Sequence, residues 1–421
     1  MLHLLKDDPE IASLIEKEES RIEYTLDLIA AENHSPPSIM EALGSIFNTK
    51  TIEGYPGKRF HAGCVYADEV ENLAISRGRE LFEAEYINVQ PHSGSSANLA
   101  VYFSVLNVGD KILAMHLPHG GHLSHGHRAS ITSKCFHFIH YSVDKETEFI
   151  DYEEVEELAK RHKPRMIVAG ASSYPRLIDY ERMAKIAKEV GAYLFADMAH
   201  IAGLVAAKVI PSPVPHCDFV TFTCYKTMMG GRGGIILCRK DYGRKLDSAV
   251  FPGCQGTSPV NVLAAKAVIF KLAGTEEFAN IQRKTLDDAV RLAAELASKG
   301  YRIVSGGTEN HQVVVDVTSK GFQGDLAEKT LESVGIITNR NVIPRDADHP
   351  GKISGIRLGT SALAARGMGP AEMGPIADLI DHALVNSADK DALADIAGKV
   401  AALAGEFPVY ASHNALTLGR G

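Results

Sequence analysis

Two hydrophobic periods run through this chain, and the switches between them divide it into three stretches. Over residues 9–33 (IASLIEKEESRIEYTLDLIAAEN), apolar residues spaced three and four apart among charges predict one amphipathic helix or two. The Pro36-Pro37 pair then breaks the pattern before a second helical stretch, SIMEALGSIF. Together these define a helical N-terminal arm over residues 1–40. From about residue 69 onward short β-rich apolar runs recur: YINVQ, KILAM, CFHFIHY, RMIVAG, AYLFAD, DFVTFT and GIILC. Helical segments such as VEELAKRH and MAKIAKEVG separate them. Strands apolar on both faces and joined by helices predict a mostly parallel sheet covered on both sides, here a large α/β domain over 41–265. Past about residue 260 the texture changes to long helices (VLAAKAVIFKLAG, NIQRKTLDDAVRLAAELASKG). After them come QVVVDV, a helix near 324–334, GIRLGT and terminal helices, which predict a smaller α+β domain over 266–421. No internal repeat or low-complexity tract interrupts this order.

Composition narrows the function classes. With 421 residues, 45% hydrophobic and 23% charged, the chain can bury a sizeable core and has no signature of disorder. No apolar run reaches the roughly 20 residues of a bilayer span. The start, MLHLLKDDPE, lacks the order of a signal peptide, so a cytoplasmic protein without membrane partners is expected. A net charge of -8 and the lack of a dense basic stripe argue against nucleic-acid binding. The six cysteines (Cys64, Cys135, Cys217, Cys224, Cys238, Cys254) form no Cys-x-x-Cys pair and read as separate reduced thiols.

Ligands of α/β sheets gather beyond the carboxyl ends of the strands, which singles out four places. HSGSSAN follows YINVQ: small residues there let an oxyanion approach the backbone, and Ser93 and Ser95 can donate, although an ordinary capped helix would use the same residues. Asp197 closes the strand LFAD, where a carboxylate can hold a ring nitrogen protonated or serve as a turn residue. His200, three residues on, either orients a neighbour or packs. Lys226 follows a strand and precedes a Gly-rich loop; a lysine desolvated there becomes a nucleophile for a carbonyl cofactor, whereas an isolated one is a solvated surface residue. Arg357 lies inside the apolar run SGIRLGT, where it clamps a carboxylate ligand or completes an internal ion pair.

Five histidines crowd MHLPHGGHLSHGHR (His116, His119, His122, His125, His127), and they raise the question of a metal. Gly-Gly interrupts any helical His face and no carboxylate or thiol is near in sequence, so no metal site is expected and a ring stacked on a cofactor is the better use for one of them.

Seen in order, EGYPGKR at 53–59, NVQPHSGSSAN at 88–98, GGHLSHG at 120–126, DMAHIAGLVAA at 197–207, the Lys226 segment with GGRGG, SAVFPG at 248–253 and SGIRLGT at 354–360 resemble serine hydroxymethyltransferase over nearly the whole chain. The resemblance implies the aspartate-aminotransferase-like fold type I, with pyridoxal 5'-phosphate as cofactor and tetrahydrofolate as co-substrate. It also implies a homodimer, or a dimer of dimers, with active sites at the subunit interface. It makes Lys226 the residue bonded to the cofactor, Asp197 the partner of the pyridine nitrogen, His122 the stacking ring, and Ser172 and His200 hydrogen-bonding groups beside it. Gly94, Ser95 and Thr223 would hold the phosphate, joined by the partner subunit's Tyr55 and Gly256. Arg357 would bind the amino acid carboxylate, and Glu53, also from the neighbour, would act as acid and base at the hydroxymethyl oxygen and the folate. Leu117, Leu123 and Asn341 would line the pterin pocket.

Several positions depart from the family pattern. Ala31 stands where Ser is usual, Thr51 where Tyr is usual, His61 in place of a second Tyr, and Tyr225 in place of the His before the lysine. Cys254 and Thr257-Ser258-Pro259 also differ. In the family the Ser and Tyr usual at the first two positions help Arg357 and His200 seat the substrate carboxylate, and Thr51 and His61 are the further substrate-side candidates. The expected reaction is reversible hydroxymethyl transfer between tetrahydrofolate and serine, or an α-substituted serine such as 2-methylserine. A folate-independent aldolase or transaldolase on β-hydroxy amino acids is the alternative.

Overall fold

The computed structural model describes residues 2–349 and 351–410; Met1, Pro350 and residues 411–421 of the expected small domain lie outside them. All seven β-rich runs enter one sheet: β1 (Tyr86–Asn88), β2 (Lys111–Met115), β3 (His137–Tyr141), β4 (Met166–Gly170), β5 (Tyr193–Asp197), β6 (Phe219–Thr223) and β7 (Gly234–Cys238). Their spatial order is β1-β7-β6-β5-β4-β2-β3, parallel throughout except for β7, which runs against both neighbours.

Period-two alternation explains the two cores. Ile112, Met166, Val168, Phe195, Phe219 and Ile236 point to one face. Leu113, Ile167, Ala169, Leu194, Val220 and Phe222 point to the other. Each large side chain taken out of water contributes about 1.5–3 kcal/mol, which is why strands polar on neither face settle at the centre. The crossover helices carry their own boundaries. Asp151 and Asp179 cap the helices Tyr152–His162 and Tyr180–Val190, and Gly191 at φ +69 stops the second.

A second sheet, β8 (Arg302–Ile303), β9 (Gln312–Asp316), β10 (Asn339–Asn341) and β11 (Gly355–Gly359), is antiparallel in the order β8-β9-β11-β10. Its core joins Val313, Val315, Ile356 and Leu358 to Leu292 and Leu296 of the helix Glu276–Ser298.

The N-terminal stretch corrects the expectation that one helix or two fill residues 9–33. The helix Pro9–Tyr24 ends at Thr25, whose backbone is extended, and Leu26–Asp27 pairs in parallel with Ile336–Ile337. Leu26 and Leu28 flank Asp27, a period-two pattern that suits a strand, and both are buried in the small-domain core. The next helix, Pro37–Leu43, buries Ile39 in the large core. Position 265 falls inside the helix Val260–Ala273, whose Ala267, Ile269 and Phe270 pack in the large core. Among the described residues no helix is long and apolar enough to cross a membrane.

Candidate active site

The parallel strands end along one rim. Asp197, the last residue of β5, sits in register with Gly170 of β4 and Thr221 of β6. A Cβ on Gly170 would lie 2.3 Å from the Asp197 carbonyl oxygen, so the neighbouring strand end must be glycine. Asp197 Oδ2 accepts from Asn98 Nδ2 at 2.8 Å and meets His125 Nε2 at 3.0 Å, while Oδ1 accepts from the Ala199 amide at 3.0 Å. Because a carboxylate only accepts, His125 Nε2 donates to it. Tyr102 lies with its hydroxyl 2.7 Å from His125 Nδ1, the remaining ring nitrogen. Burial works against the charge on Asp197, but the His125 hydrogen bond, the neighbouring imidazoles and Asn98 outweigh it and hold the carboxyl well below its usual range.

Lys226 is buried just beyond β6, and its Nζ donates to Thr223 Oγ1 at 3.1 Å. This excludes the solvated-surface reading. Burial draws its ammonium down to about 8; Asp197 opposes that shift, and Arg357 and Arg232 reinforce it. Tyr225 presents its ring to both Lys226 Nζ, 5.0 Å from the centroid, and the Arg232 guanidinium, at 4.5 Å.

Ser93 caps the helix Gly94–Val105 through a capping box with Ser96, so the ordinary reading of this turn is satisfied. The turn also has no room for larger residues. A Cβ on Gly94 would approach Thr223 Cγ2 to 2.7 Å, and one on Gly234 would approach the Ser93 carbonyl to 2.2 Å. Ser95 is left exposed in the first helical turn.

His122 accepts or donates at Nδ1 with Ser124 Oγ, 2.7 Å away, and burial takes its imidazole down to about 4. His122, His125 and Asp197 bring one ligand atom each within 4.8 Å of one another. Distance in sequence is therefore misleading on this point, since β5 delivers the carboxylate that the histidine run lacks.

Arg357, on β11, donates from Nη1 to the Ser172 carbonyl at 2.7 Å and from Nε to Asn339 Oδ1 at 3.2 Å. No carboxylate among the described residues forms an ion pair with it, so the internal ion-pair alternative falls away. His200 stacks on His311 with 5.5 Å between centroids, and His311 Nε2 lies 3.1 Å from the Ala30 carbonyl. Burial keeps both imidazoles neutral.

A second group lies around β1. Tyr55 donates to the Asp247 carbonyl at 2.7 Å, and a Cβ on Gly256 would sit 3.8 Å from Glu53 Oε1. Thr51 and His61 are exposed, and their carbonyls face Cys64 Sγ. Among the described residues no hydrogen bond joins Glu53, Tyr55, Thr51 or His61 to Lys226, Asp197 or Arg357. Leu117 borders a cavity of about 550 Å³ together with His122 and Val342; Asn341 precedes Val342, and Leu123 is exposed nearby in the chain.

A buried amine near its neutral form suits an aldehyde, a buried carboxylate suits a basic ring nitrogen, and the close-packed Ser-Gly-Ser turn at a helix N-terminus suits a phosphate. Pyridoxal phosphate carries all three groups, and the strand ends of this sheet place the protein among the fold type I enzymes that use it. Residues 4–380 match the family model for serine hydroxymethyltransferase, and the chain belongs to that family, a pyridoxal-phosphate-dependent enzyme of the hydroxymethyltransferase type.

Sequence reasoning considers His125 only within the histidine run, as a metal ligand or a stacking ring, and does not single out Asn98 or Tyr102. The last two are four apart on one helix, so they share a face, and that spacing is the signal the sequence offers.

Proposed function

We propose that the enzyme transfers a hydroxymethyl group between tetrahydrofolate and serine or an α-substituted serine such as 2-methylserine. The observation that carries this reading is the buried Arg357 guanidinium, which has no carboxylate of its own and raises the positive potential at Lys226 and His200. An amino acid carboxylate is the ligand that such a group awaits. Bound pyridoxal phosphate supplies an electron sink for the pair released when a bond to Cα breaks. Lys226 would hold the cofactor's aldehyde carbon and hold or return a proton at Nζ. Asp197, kept ionised, holds the proton on the pyridine nitrogen, with His125 and Tyr102 behind it. His122, Ser172 and His200 would hold the cofactor's ring, and Gly94, Ser95 and Thr223 its phosphate. Glu53 moves the proton at the hydroxymethyl oxygen, and Glu53, Tyr55 and Gly256 reach the site of a partner subunit in a homodimer.

The α-substituted substrate is supported by Ala31 and Thr51, which lack the hydroxyl and ring usual at those positions. A methyl group filling an apolar gap is worth about 1–3 kcal/mol, enough to shift preference without making it absolute. Specificity constants for serine, 2-methylserine and threonine, with and without tetrahydrofolate, test the proposal. A preference for 2-methylserine that requires folate is expected. A clear serine preference refutes the α-substituted substrate, and equal rates without folate make the enzyme an aldolase.

A further inference from the structure

Lys266 is a fully buried lysine that none of the chemistry above uses. It projects from the helix Val260–Ala273 and spends its three N–H donors on three carbonyls: Val89 at 2.6 Å, Pro91 at 3.0 Å and Gly234 at 3.0 Å. Those carbonyls belong to the segment leaving β1 and to the first residue of β7, the two walls of the Ser93-Gly94 turn. Pro91 also accepts from the Gly234 amide at 3.0 Å, and Gly234 packs against the Ser93 carbonyl. Gly233, at φ +145, makes room for the lysine stem, since a Cβ there would lie 2.4 Å from Lys266 Cε. No carboxylate among the described residues pairs with this ammonium. The acid that acts on it, Glu71, is engaged by Arg59 and Gln90, and the other titratable neighbour acting on it is Cys224.

A buried charge with hydrogen bonds but no counter-charge costs several kcal/mol and calls for a reason. We propose that Lys266 is a positioning residue and the buried counter-charge of the phosphate turn, so that it sets the protein's affinity for the cofactor's phosphate dianion without touching it. This rests on the cofactor reading above. Carbonyls polarised by an ammonium hold the turn in its anion-binding shape, and the net positive charge behind it favours a dianion in front. Burial brings Lys266 down to about 8. An anion bound at the turn favours the protonated lysine, and by linkage the protonated lysine favours the anion.

Two measurements test the assignment. In Lys266→Met, equilibrium dialysis should show pyridoxal phosphate bound about tenfold or more weakly, the scale of one lost charge-assisted interaction, with pyridoxal, which lacks the phosphate, changed less than about twofold. Equal losses for both ligands, or none, would overturn the proposal. The second keeps Lys266 and removes the other buried amine: sulfate, a dianion at every pH used, is titrated into Lys226→Ala apoprotein between pH 6.5 and 9.5. Affinity should fall about tenfold as the pH rises through about 8. A flat profile overturns the proposal whether or not Lys266→Met folds. Capture of pyridoxal by the wild-type protein reports separately on the cofactor reading.

Discussion

Replacing Arg357 separates binding from folding in opposite directions. The guanidinium is buried in a strand, its two hydrogen bonds go to the Ser172 carbonyl at 2.7 Å and Asn339 Oδ1 at 3.2 Å, and burial pulls its pKa to about 10. Without a carboxylate, the folded protein bears a desolvation cost of several kcal/mol that only an incoming ligand offsets. In Arg357→Lys the charge stays but the planar fork is lost, and a hydrogen bond between charged groups is worth about 1.5–3 kcal/mol. Amino acid binding should therefore weaken about 10- to 150-fold, with cofactor affinity changed less than about twofold. Arg357→Met should abolish amino acid binding while leaving the urea midpoint of the apoprotein equal to or above that of wild type, because an apolar chain replaces an uncompensated charge. Spectral titration of the bound cofactor with serine and glycine reads the first effect, and urea unfolding of the apoprotein reads the second. Unchanged amino acid affinity in Arg357→Lys, or a marked loss of apoprotein stability in Arg357→Met, would refute the assignment of this residue to a ligand carboxylate.

Tyr102→Phe keeps the packing but leaves His125 Nδ1 without its hydroxyl partner, so urea unfolding of the apoprotein should lose about 1–3 kcal/mol and cofactor retention should fall; no change in either would show the hydroxyl to be idle. Lys226 titrates near 8 in the folded protein against 10.5 for an ordinary lysine. Its unfolded form thus holds the extra proton between those values, and its contribution to stability rises with pH across that window. The rate of pyridoxal capture should likewise climb through about pH 8 and level off, and a rate still rising at pH 10 would mean that the amine is not desolvated.

The large sheet is legible because burial on both faces demands unbroken apolar runs, and those runs cannot be mistaken for the polar helices between them. All seven strands follow from that contrast, and their C-terminal ends give Asp197 and Lys226 a common rim. The same contrast fails at the N-terminus. Thr25–Leu28 is too short to show a period of its own beside sixteen residues of helix, and its partner strand at Ile336–Ile337 lies some three hundred residues away. A two-residue parallel pairing of that kind is set by tertiary packing, with Leu26 and Leu28 drawn into a core that the local sequence does not describe.

Within the site, a residue can be read from the sequence when its own position is unusual, and cannot when only its partner makes it so. Lys226 after an apolar strand and Arg357 within one are conspicuous because charges seldom sit there. His125 becomes significant only beside Asp197, 72 residues on, and Lys266 only beside the carbonyl of Val89, 177 residues back. On its helix Lys266 occupies a position whose neighbours Ala265, Ala267 and Ile269 are buried, and a helix apolar nearly all round should carry no cation unless something inside requires one. The apolar run VLAAKAVIF displays that mismatch by itself. Its meaning comes from the geometry that directs the ammonium at the carbonyls behind the Ser93-Gly94 turn, and the Lys266→Met and sulfate measurements separate a charge kept for an anion from one that merely ties strands together.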